Sequence, residues 1–503
     1  MAKKIIIIGA GIAGLSTACY ARMNGYAAEV YEMHDLPGGL CTSWKRYGYT
    51  IDGSIHWLMG SKPGTSFYRL WEELGAVQNR KMYYHDVFYI FTDNQGQEIT
   101  WYRNADKLEE ELKSKFPEDK ENIELLCNLI RKFSNFPMPI DKPYELYNIF
   151  DFFKMMKIMR PFFKDLKFSS QITIGEFAER FSNPVLRELV SLILGERDFP
   201  LISLLVTLGA MHAGDGSFPQ GGSLEFAKAI EKRCLELGAK IHYRRKVTKI
   251  IVSKGKAVGI ELENGEKIYG DYVISAADLR TTLYDMLDGK YIHQKHRELF
   301  EKVKLFPSMV QVSFGVNKQM KLARNATGIW LKASRQFFKE RKIDWLLVKD
   351  YSFDPSFAPP GKAVVTGGFA SNDYNYWEKL SENKDKYAAV KEKIASEVIE
   401  EIEKLYPGFK SIIQFTDVAT PITYNHYTSN WKGSFMTWII TPDKQKKFRS
   451  IPKTLPGLDN FWLTGMWVQP PGGLPSAALS SRQVIQMLCK KDKKQFHTSV
   501  PTI

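Results

Sequence analysis

The sequence predicts an α/β protein that begins with a parallel β-α-β unit and continues into a mixed α+β part. The β-branched run Ile5–Ile8 lacks polar alternation, which is typical of a central parallel strand buried on both faces. A glycine-rich turn and a helical pattern follow, and a second apolar strand ends at Glu32. Later, the strand-like runs Met309–Phe314 and Ala363–Thr366 alternate with the helical pattern of Lys386–Leu405, which predicts a mixed sheet covered by helices.

The turn after the first strand predicts a Rossmann-type dinucleotide site. In the sequence GAGIAG, Gly9 suits the tight turn, Gly11 lets the main chain approach a pyrophosphate, and Gly14 lets the helix lie close to the strand. The helix predicted over Leu15–Met23 directs its positive end at the phosphates. Glu32, about 20 residues later, stands where a carboxylate binds ribose hydroxyls. The residues assigned to this site are Gly9, Gly11, Ala13, Gly14 and Glu32.

Further segments resemble the flavin motifs of the amine oxidase superfamily and, within it, of the phytoene desaturase, carotenoid isomerase and retinol saturase group. In chain order they are Pro37–Leu40, Tyr49–Ser54, Phe218–Ser223, Val247–Ile250, Asp271–Asp278, Phe461–Met466 and Pro470–Ala478. The resemblance covers nearly the whole chain and implies an FAD-dependent oxidoreductase. It assigns further cofactor contacts to Gly38, Gly39, Leu40, Val247, Ala276, Ala277, Asp278, Gly465, Met466, Gly473, Leu474, Pro475 and Ala477.

The last glycine motif has a direct physical meaning. It opens a predicted helix over Ser476–Leu488, whose N-terminal amides can stabilise negative charge on a reduced flavin. Two positions depart from the resemblance. Leu40 stands where many relatives have arginine, and Met466 stands where amine oxidases usually have an acidic residue.

The flavin motifs predict a discontinuous FAD-binding domain formed by residues 1–105, 210–285 and 455–490. The intervening residues 106–209 and 286–454 are then expected to form the substrate and membrane-associated domain. Residues 491–503 are expected to form a basic tail.

The segment Leu146–Phe168 predicts a monotopic membrane-docking helix, kinked or restarted at Pro161. Its cationic face carries Lys154, Lys157, Arg160, Lys164 and Lys167, and its apolar face includes Phe152, Met155, Met159, Phe162 and Phe163. The alternative is that the apolar face packs on the substrate domain. The resemblance favours docking, since relatives of the phytoene desaturase type draw lipid-soluble substrates from the bilayer.

Composition limits the other classes of function. A net charge of +14 suits an anionic membrane surface, whereas no nucleic-acid-binding signature accompanies it. The five cysteines form no C-x-x-C pair and the nine histidines no ligand spacing, so we expect no metal site. With no secretory signal and no spanning segment evident, we expect a cytoplasmic protein, peripheral at the inner face of the membrane. Nothing in the sequence predicts its oligomeric state.

Because flavin accepts or donates hydride at N5, the protein needs few catalytic side chains. His56 is the candidate catalytic residue, as a proton donor or acceptor or by orienting substrate. Residues beside the flavin motifs are expected to line the substrate, namely Trp57, His212, Asp215, Trp467 and Gln469.

The leading hypothesis is hydride chemistry on carbon–carbon bonds of a long polyene, isoprenoid or unsaturated lipid, by desaturation, saturation or cis–trans isomerisation. One alternative is a flavin amine or amino-acid oxidase, which predicts an acidic residue at the position of Met466. Another is a non-catalytic lipid-binding protein like the Rab GDP-dissociation inhibitors, which predicts a colourless preparation.

Overall fold

Two large β-sheets organise the chain, whose computed structural model describes residues 2–319, 325–335, 338, 341–448 and 450–501. The strands, in chain order, are β1 (Lys4–Ile8), β2 (Ala27–Tyr31), β3 (Ser43–Arg46), β4 (Tyr49–Asp52), β5 (Met82–Tyr83), β6 (Val87–Thr92), β7 (Glu98–Tyr102), β8 (Phe218–Pro219), β9 (Lys240–His242), β10 (Val247–Ser253), β11 (Lys256–Leu262), β12 (Lys267–Tyr269), β13 (Tyr272–Ser275), β14 (Lys304–Leu305), β15 (Ser308–Val316), β16 (Ala326–Lys332), β17 (Trp345–Asp350), β18 (Ala363–Ser371), β19 (Ile413–Ala419), β20 (Trp438–Ile439) and β21 (Phe461–Leu463).

The α-helices cover the faces and ends of these sheets. They span Ile12–Met23, Ser66–Glu73, Ala105–Lys115, Lys120–Phe133, Ile149–Met159, Phe163–Gln171, Ile174–Ala178, Pro184–Leu192, Leu201–His212, Gly222–Glu236, Gln294–Lys302, Tyr374–Ser381, Lys384–Leu405, Phe409–Ile412, Pro421–Thr428, Pro442–Phe448 and Leu474–Lys491. The chain is therefore an α/β protein, as the sequence predicts.

The first sheet is parallel throughout, in the order β21-β13-β1-β2-β9. The isoleucines of β1 lie at its centre and are at most 3% exposed, which explains the absence of polar alternation. The helix Ile12–Met23 returns the chain from β1 to β2 in the predicted β-α-β unit. The carboxyl ends of β1, β2 and β13 consequently meet at one edge, where α/β sheets bind ligands.

The second sheet is mixed, in the order β19-β15-β18-β17-β16-β6-β7. Only β6 and β16 pair in parallel among the described strands of this sheet. Strands β6 and β7 lie inside the predicted FAD-domain segment 1–105, yet they pair here. All six residues of β6 are buried, so this part of residues 1–105 packs with the second sheet rather than with the first.

We call the first sheet with its helices the first lobe, and the second sheet with its helices the second lobe. The two ends of the chain pack together in the first lobe. The helix Leu474–Lys491 packs along the helix Ile12–Met23. In their contact, Arg482 forms a buried ion pair with Glu73, which also accepts a hydrogen bond from Tyr20. The predicted basic tail folds back onto this lobe, where the main chain of His497 exchanges hydrogen bonds with the Asn24 side chain.

The predicted docking segment is divided into the helix Ile149–Met159, a 3₁₀ turn at Arg160–Phe162, and the helix Phe163–Gln171. The break contains Pro161, as expected. No side chain of Ile149–Met159 is buried, and Phe150 and Phe153 are 79% and 63% exposed. Within the described residues, no helix is long and apolar enough to cross a membrane.

Phe162, one of the residues predicted to face the membrane, is buried in the protein instead. Phe162 is only 7% exposed because its ring packs against the rings of Phe133 and Phe136. It anchors the segment to the protein, and the exposed apolar surface lies on the preceding helix instead.

The buried ion pair generates a stability prediction. Replacing Arg482 with Met leaves Glu73 uncompensated and removes hydrogen bonds to the carbonyl oxygens of Ile140 and Asp141. We expect R482M to lower the free energy of unfolding in urea by about 3–5 kcal/mol. Arg69→Met is the control, since its ion pair with Asp141 is exposed and screened by water. Equal losses in the two variants would contradict the assignment.

Candidate active site

A large cavity of about 1210 Å³ extends from the carboxyl edge of the first sheet towards the second sheet. This volume exceeds the roughly 300–1,000 Å³ of an ordinary ligand pocket. Nearly all predicted cofactor residues border it, namely Gly9, Gly11, Ala13, Glu32, Gly38, Gly39, Leu40, Val247, Ala276, Ala277, Asp278, Gly465, Met466, Gly473, Leu474, Pro475 and Ala477. The cavity has room for a dinucleotide and a second ligand.

The first glycine turn is shaped by two close approaches. Gly9 has a φ of +94° and donates its N–H to the carbonyl oxygen of Tyr31 at 2.8 Å. A Cβ atom on Gly14 would lie 1.8 Å from the carbonyl oxygen of Gly9, so only glycine lets the helix lie against the turn. Gly14 therefore supports the site from beneath and does not line the cavity.

Two helix N-termini open onto this cavity without a side-chain cap. The helix Ile12–Met23 begins after Gly11, and the helix Leu474–Lys491 begins after Gly473. A Cβ atom on Gly473 would meet no other atom within 4 Å, so the space in front of this turn is open. The uncapped amides and the helix dipoles both favour a negatively charged ligand at these positions.

A third glycine-led helix shows the contrast. At the start of Gly222–Glu236, the Asp52 carboxylate accepts hydrogen bonds from the amide of Ser223 at 2.6 Å and from its hydroxyl at 2.7 Å. This N-terminus is satisfied by protein groups. The chain thus caps one helix with a carboxylate and leaves the other two free for a ligand.

Glu32 occupies the end of β2 as predicted for a ribose contact. Its carboxylate accepts hydrogen bonds from the amide of Ala10 at 2.6 Å and from the amide of His34 at 2.8 Å. Burial raises the pKa of this carboxyl above its ordinary value, with the two amides acting in the opposite direction. The side chain is 8% exposed and borders the cavity, so it also has access to a ligand.

Asp278 joins the cofactor edge to a loop of the second lobe. Its carboxylate accepts hydrogen bonds from the amide of Thr281 at 2.8 Å and from the amide of Trp431 at 3.0 Å. Burial raises the pKa of Asp278 to about 6. The neighbouring residues Ala276 and Ala277 lie against Gly9, where the ends of β1 and β13 meet.

These features define a class of protein. The uncapped glycine turns fit the diphosphate and the flavin edge of FAD, and the buried Glu32 fits its adenosine ribose. The class is that of FAD-dependent oxidoreductases with a Rossmann-type nucleotide lobe. The chain belongs to the family described as flavin containing amine oxidoreductase, whose model matches residues 12–486.

Curated relatives include enzymes named for carotenoids. The chain is 26% identical to the prolycopene isomerase of Arabidopsis thaliana over 499 residues, covering 94% of this chain and 80% of that protein. It is 24% identical to the 4,4'-diaponeurosporene oxygenase of Staphylococcus aureus strain MW2 over 519 residues, covering 98% and 99%.

Solved structures share the fold at low identity. A putrescine oxidase triple mutant superposes with a TM-score of 0.65 at 12% identity, covering 97% of this chain and 99% of that one. An oxidoreductase from Methanosarcina mazei superposes with a TM-score of 0.61 at 18% identity, covering 96% and 100%. These likenesses establish the architecture alone.

The residues expected at the reacting face divide into two groups. His56, Trp57 and Trp467 border the cavity. Burial, assisted by the charge of Lys349, holds the pKa of His56 well below 6.5, so its imidazole is neutral at ordinary pH. Trp57 packs edge-on against Phe88, which fixes the orientation of that wall.

The expectation for His212, Asp215 and Gln469 is not retained, because none of them borders the cavity. His212 accepts a hydrogen bond from the amide of Ala105 at the start of a helix. Asp215 has a structural role, because its carboxylate accepts hydrogen bonds from four main-chain amides, those of Gly60, Ser61, Lys62 and Gly216. In the described chain, no cluster of three His, Cys, Asp or Glu side chains could hold a metal ion.

Sequence reasoning missed a second limb of the cavity, which we call the apolar limb. Its apolar lining residues are Phe136, Met138, Leu194, Phe199, Ile202 and Val206, and Ser203 and Thr207 of the same helix also border the cavity. These residues come from separate loops and one helix, and each has the ordinary pattern of a core residue. Only their tertiary arrangement shows that they surround open space.

Glu32 provides a direct test of the cofactor site. In E32A the amides of Ala10 and His34 lose a charged acceptor, and the ribose loses its carboxylate. A hydrogen bond to a charged group is worth about 1.5–3 kcal/mol, so we expect the FAD dissociation constant to rise by about 10- to 100-fold. Flavin titration of the apoprotein measures it. Glu29→Gln is the matched control on the same strand, and FAD affinity in E32A within twofold of that control would refute the assignment.

Proposed function

We propose that the protein acts on carbon–carbon bonds of a long polyene of the carotenoid type, by desaturation, saturation or cis–trans isomerisation. The observation that carries the proposal is the apolar limb, which continues from the flavin motifs within one cavity. Six apolar side chains line it, and the adjacent Ser203 and Thr207 are uncharged, which suits a hydrocarbon chain. The carotenoid names of the curated relatives support the same substrate class.

The chain's own residues have defined tasks in this chemistry. Bound FAD supplies a hydride acceptor or donor at N5. Trp57 and Trp467 form walls that exclude water and hold a planar hydrocarbon. The N-terminus of the helix Leu474–Lys491 stabilises negative charge at the adjacent edge of the cavity. Because His56 is neutral, it can donate or accept a hydrogen bond without placing a charge beside a hydrocarbon substrate.

The site is unsuited to the alternative of amine oxidation. Met466 borders the cavity where that alternative predicts an acidic residue. The likeness to putrescine oxidase is at 12% identity and concerns the fold alone. The alternative of a non-catalytic lipid carrier leaves the two uncapped helix N-termini without a function.

Blocking the apolar limb tests the function. Val206 lines this limb at a distance in sequence from every flavin motif. We expect Val206→Trp to reduce conversion of carotenoid polyenes at least tenfold while FAD content stays unchanged, because the large ring fills the space needed by the chain. Conversion is measured by chromatography, with the flavin supplied oxidised and reduced.

Val185→Trp serves as the control, because Val185 is 45% exposed and outside the cavity. If V206W converts polyenes at the rate of V185W, the limb does not hold the substrate. If neither variant nor the parent protein converts any polyene in either redox state, the proposed substrate class is wrong.

We further propose that the helix Ile149–Met159 docks on an anionic membrane surface. Its exposed apolar residues include Phe150, Phe152 and Phe153, and the exposed cations Lys154 and Lys157 lie beside them. Buried Phe162 connects this helical segment to Phe136, which lines the apolar limb. A hydrocarbon substrate could therefore pass between bilayer and cavity over a short apolar path.

A liposome experiment tests the docking. We expect F150S/F153S to lose most cosedimentation with vesicles containing anionic lipid, because the two most exposed rings no longer insert. The control is Leu235→Ser, which removes an apolar side chain that is 53% exposed on a different helix. Unchanged cosedimentation of F150S/F153S would contradict the docking proposal and leave the cavity assignment untouched.

A further inference from the structure

A buried lysine lies behind the wall of the cavity, at a position that no flavin motif includes. Lys349 is on β17 and is only 6% exposed. Its Nζ atom donates a hydrogen bond to the carbonyl oxygen of Ile55 at 3.1 Å. The same atom lies 4.9 Å from the ring centroid of Tyr351 and 5.6 Å from that of Phe218. The ammonium group is thus held by one carbonyl and two aromatic rings.

Lys349 faces a small chamber that it shares with His56. The chamber has a volume of about 20 Å³ and is bordered by Asp52, His56, Gln311, Lys349, Tyr351 and Thr366. A volume above roughly 10–15 Å³ with several polar partners is sufficient for one water molecule. His56 borders both this chamber and the large cavity, as do the preceding residues 53–55, so this segment lies between the two spaces.

The hydrogen-bonding needs of the two side chains are complementary. The Nδ1 atom of His56 is buried and has no hydrogen-bond partner within the described structure. The Lys349 ammonium has three N–H groups, and its identified acceptor is Ile55. Asp52 raises the pKa of Lys349 by its charge, but its two oxygens already accept hydrogen bonds from Ser43, Ser54 and Ser223.

We propose that Lys349 is a positioning residue that acts on the reacting face through His56. One water in the chamber accepts a hydrogen bond from the Lys349 ammonium and donates one to Nδ1 of His56. The neutral imidazole then carries its proton on Nε2, so the ring is held in one tautomer and one orientation. The inference rests on the proposed place of His56 at the reacting face, and it extends that face to a residue on the second sheet.

The charge states around Lys349 make the arrangement measurable. Burial lowers the pKa of Lys349 to about 8. The titratable groups facing it are Asp52 on β4, His56 beyond that strand, His85 before β6, and Tyr351 directly after β17. Burial lowers the pKa of His85 to about 4 and that of His56 well below 6.5, and it raises the pKa of Tyr351 well above 10. These two histidines and Tyr351 therefore stay neutral between pH 7 and 9.

The first test follows the absorption spectrum of the bound flavin from pH 6 to pH 10. In the parent holoenzyme we expect a spectral transition near pH 8, as Lys349 loses its proton and the positive charge that orients the water disappears. Lys349→Met should abolish the transition at normal flavin content. The matched control is Lys453→Met, since Lys453 is also only 6% exposed but pairs with Glu145 away from the chamber. The transition should persist in K453M.

The route through His56 is tested by a double-variant comparison. If Lys349 acts through the ring, H56Q also loses the transition, and H56Q/K349M has the spectrum of H56Q at every pH. A transition that survives in K349M, or a K349M effect that is undiminished in the H56Q background, would overturn the proposal. A purely structural lysine would change the melting temperature and leave the transition in place.

A crystal structure of the parent holoenzyme provides a measurement independent of the variants. The proposal requires electron density for one water within hydrogen-bonding distance of both Lys349 Nζ and His56 Nδ1. A dry chamber, or a water that contacts only one of these atoms, would refute it. Both readouts use bound flavin without substrate, so failure of the polyene assignment would leave their outcome unchanged.

Discussion

The structure depends on two helix N-termini at which, within the described residues, no side chain caps the first main-chain N–H groups. The turns at Gly11 and Gly473 direct these groups into one cavity. At the helix that follows Gly221, by contrast, the amide of Ser223 donates a hydrogen bond to the Asp52 carboxylate. An unpaired buried amide costs free energy, so the two open turns are stable only beside water or an acidic ligand. Bound cofactor would therefore supply the hydrogen-bond acceptors that the first lobe lacks. Glu32 and Asp278 hold the loops around this site through hydrogen bonds to main-chain amides.

We propose that one lobe binds the cofactor and the other surrounds the substrate. The first sheet presents its strand ends to the dinucleotide, while the second sheet and the helices packed on it surround the apolar limb. His56 and Lys349 lie where these lobes meet and line the same small chamber, and His56 also borders the large cavity. Phe162 links the exposed helix Ile149–Met159 to the same limb. The helix proposed to dock on a membrane, the apolar limb and the flavin-motif turns are therefore contiguous in one chain.

Local chemistry explains which features were predictable. The glycine turn at Gly9–Gly14 and the helix after Gly473 were predicted correctly because each depends on neighbouring residues and backbone geometry. Two features depend on partners distant in sequence and were therefore not predictable. Phe162 is buried against Phe133, and the Asp215 carboxylate binds the main-chain amide of Gly60. Lys349 has no local signal at all, because an alternating strand is expected to expose its lysine. Its burial arises from the contact between the two lobes.

The central claim is that one continuous cavity brings flavin and polyene together. A crystal structure of the holoenzyme with a bound carotenoid tests it most directly. We expect a diphosphate against the amides that follow Gly11, a flavin edge at the turn of Gly473, and hydrocarbon density between Phe136 and Val206. A polyene bound outside that limb, or a diphosphate remote from Gly11, would contradict it.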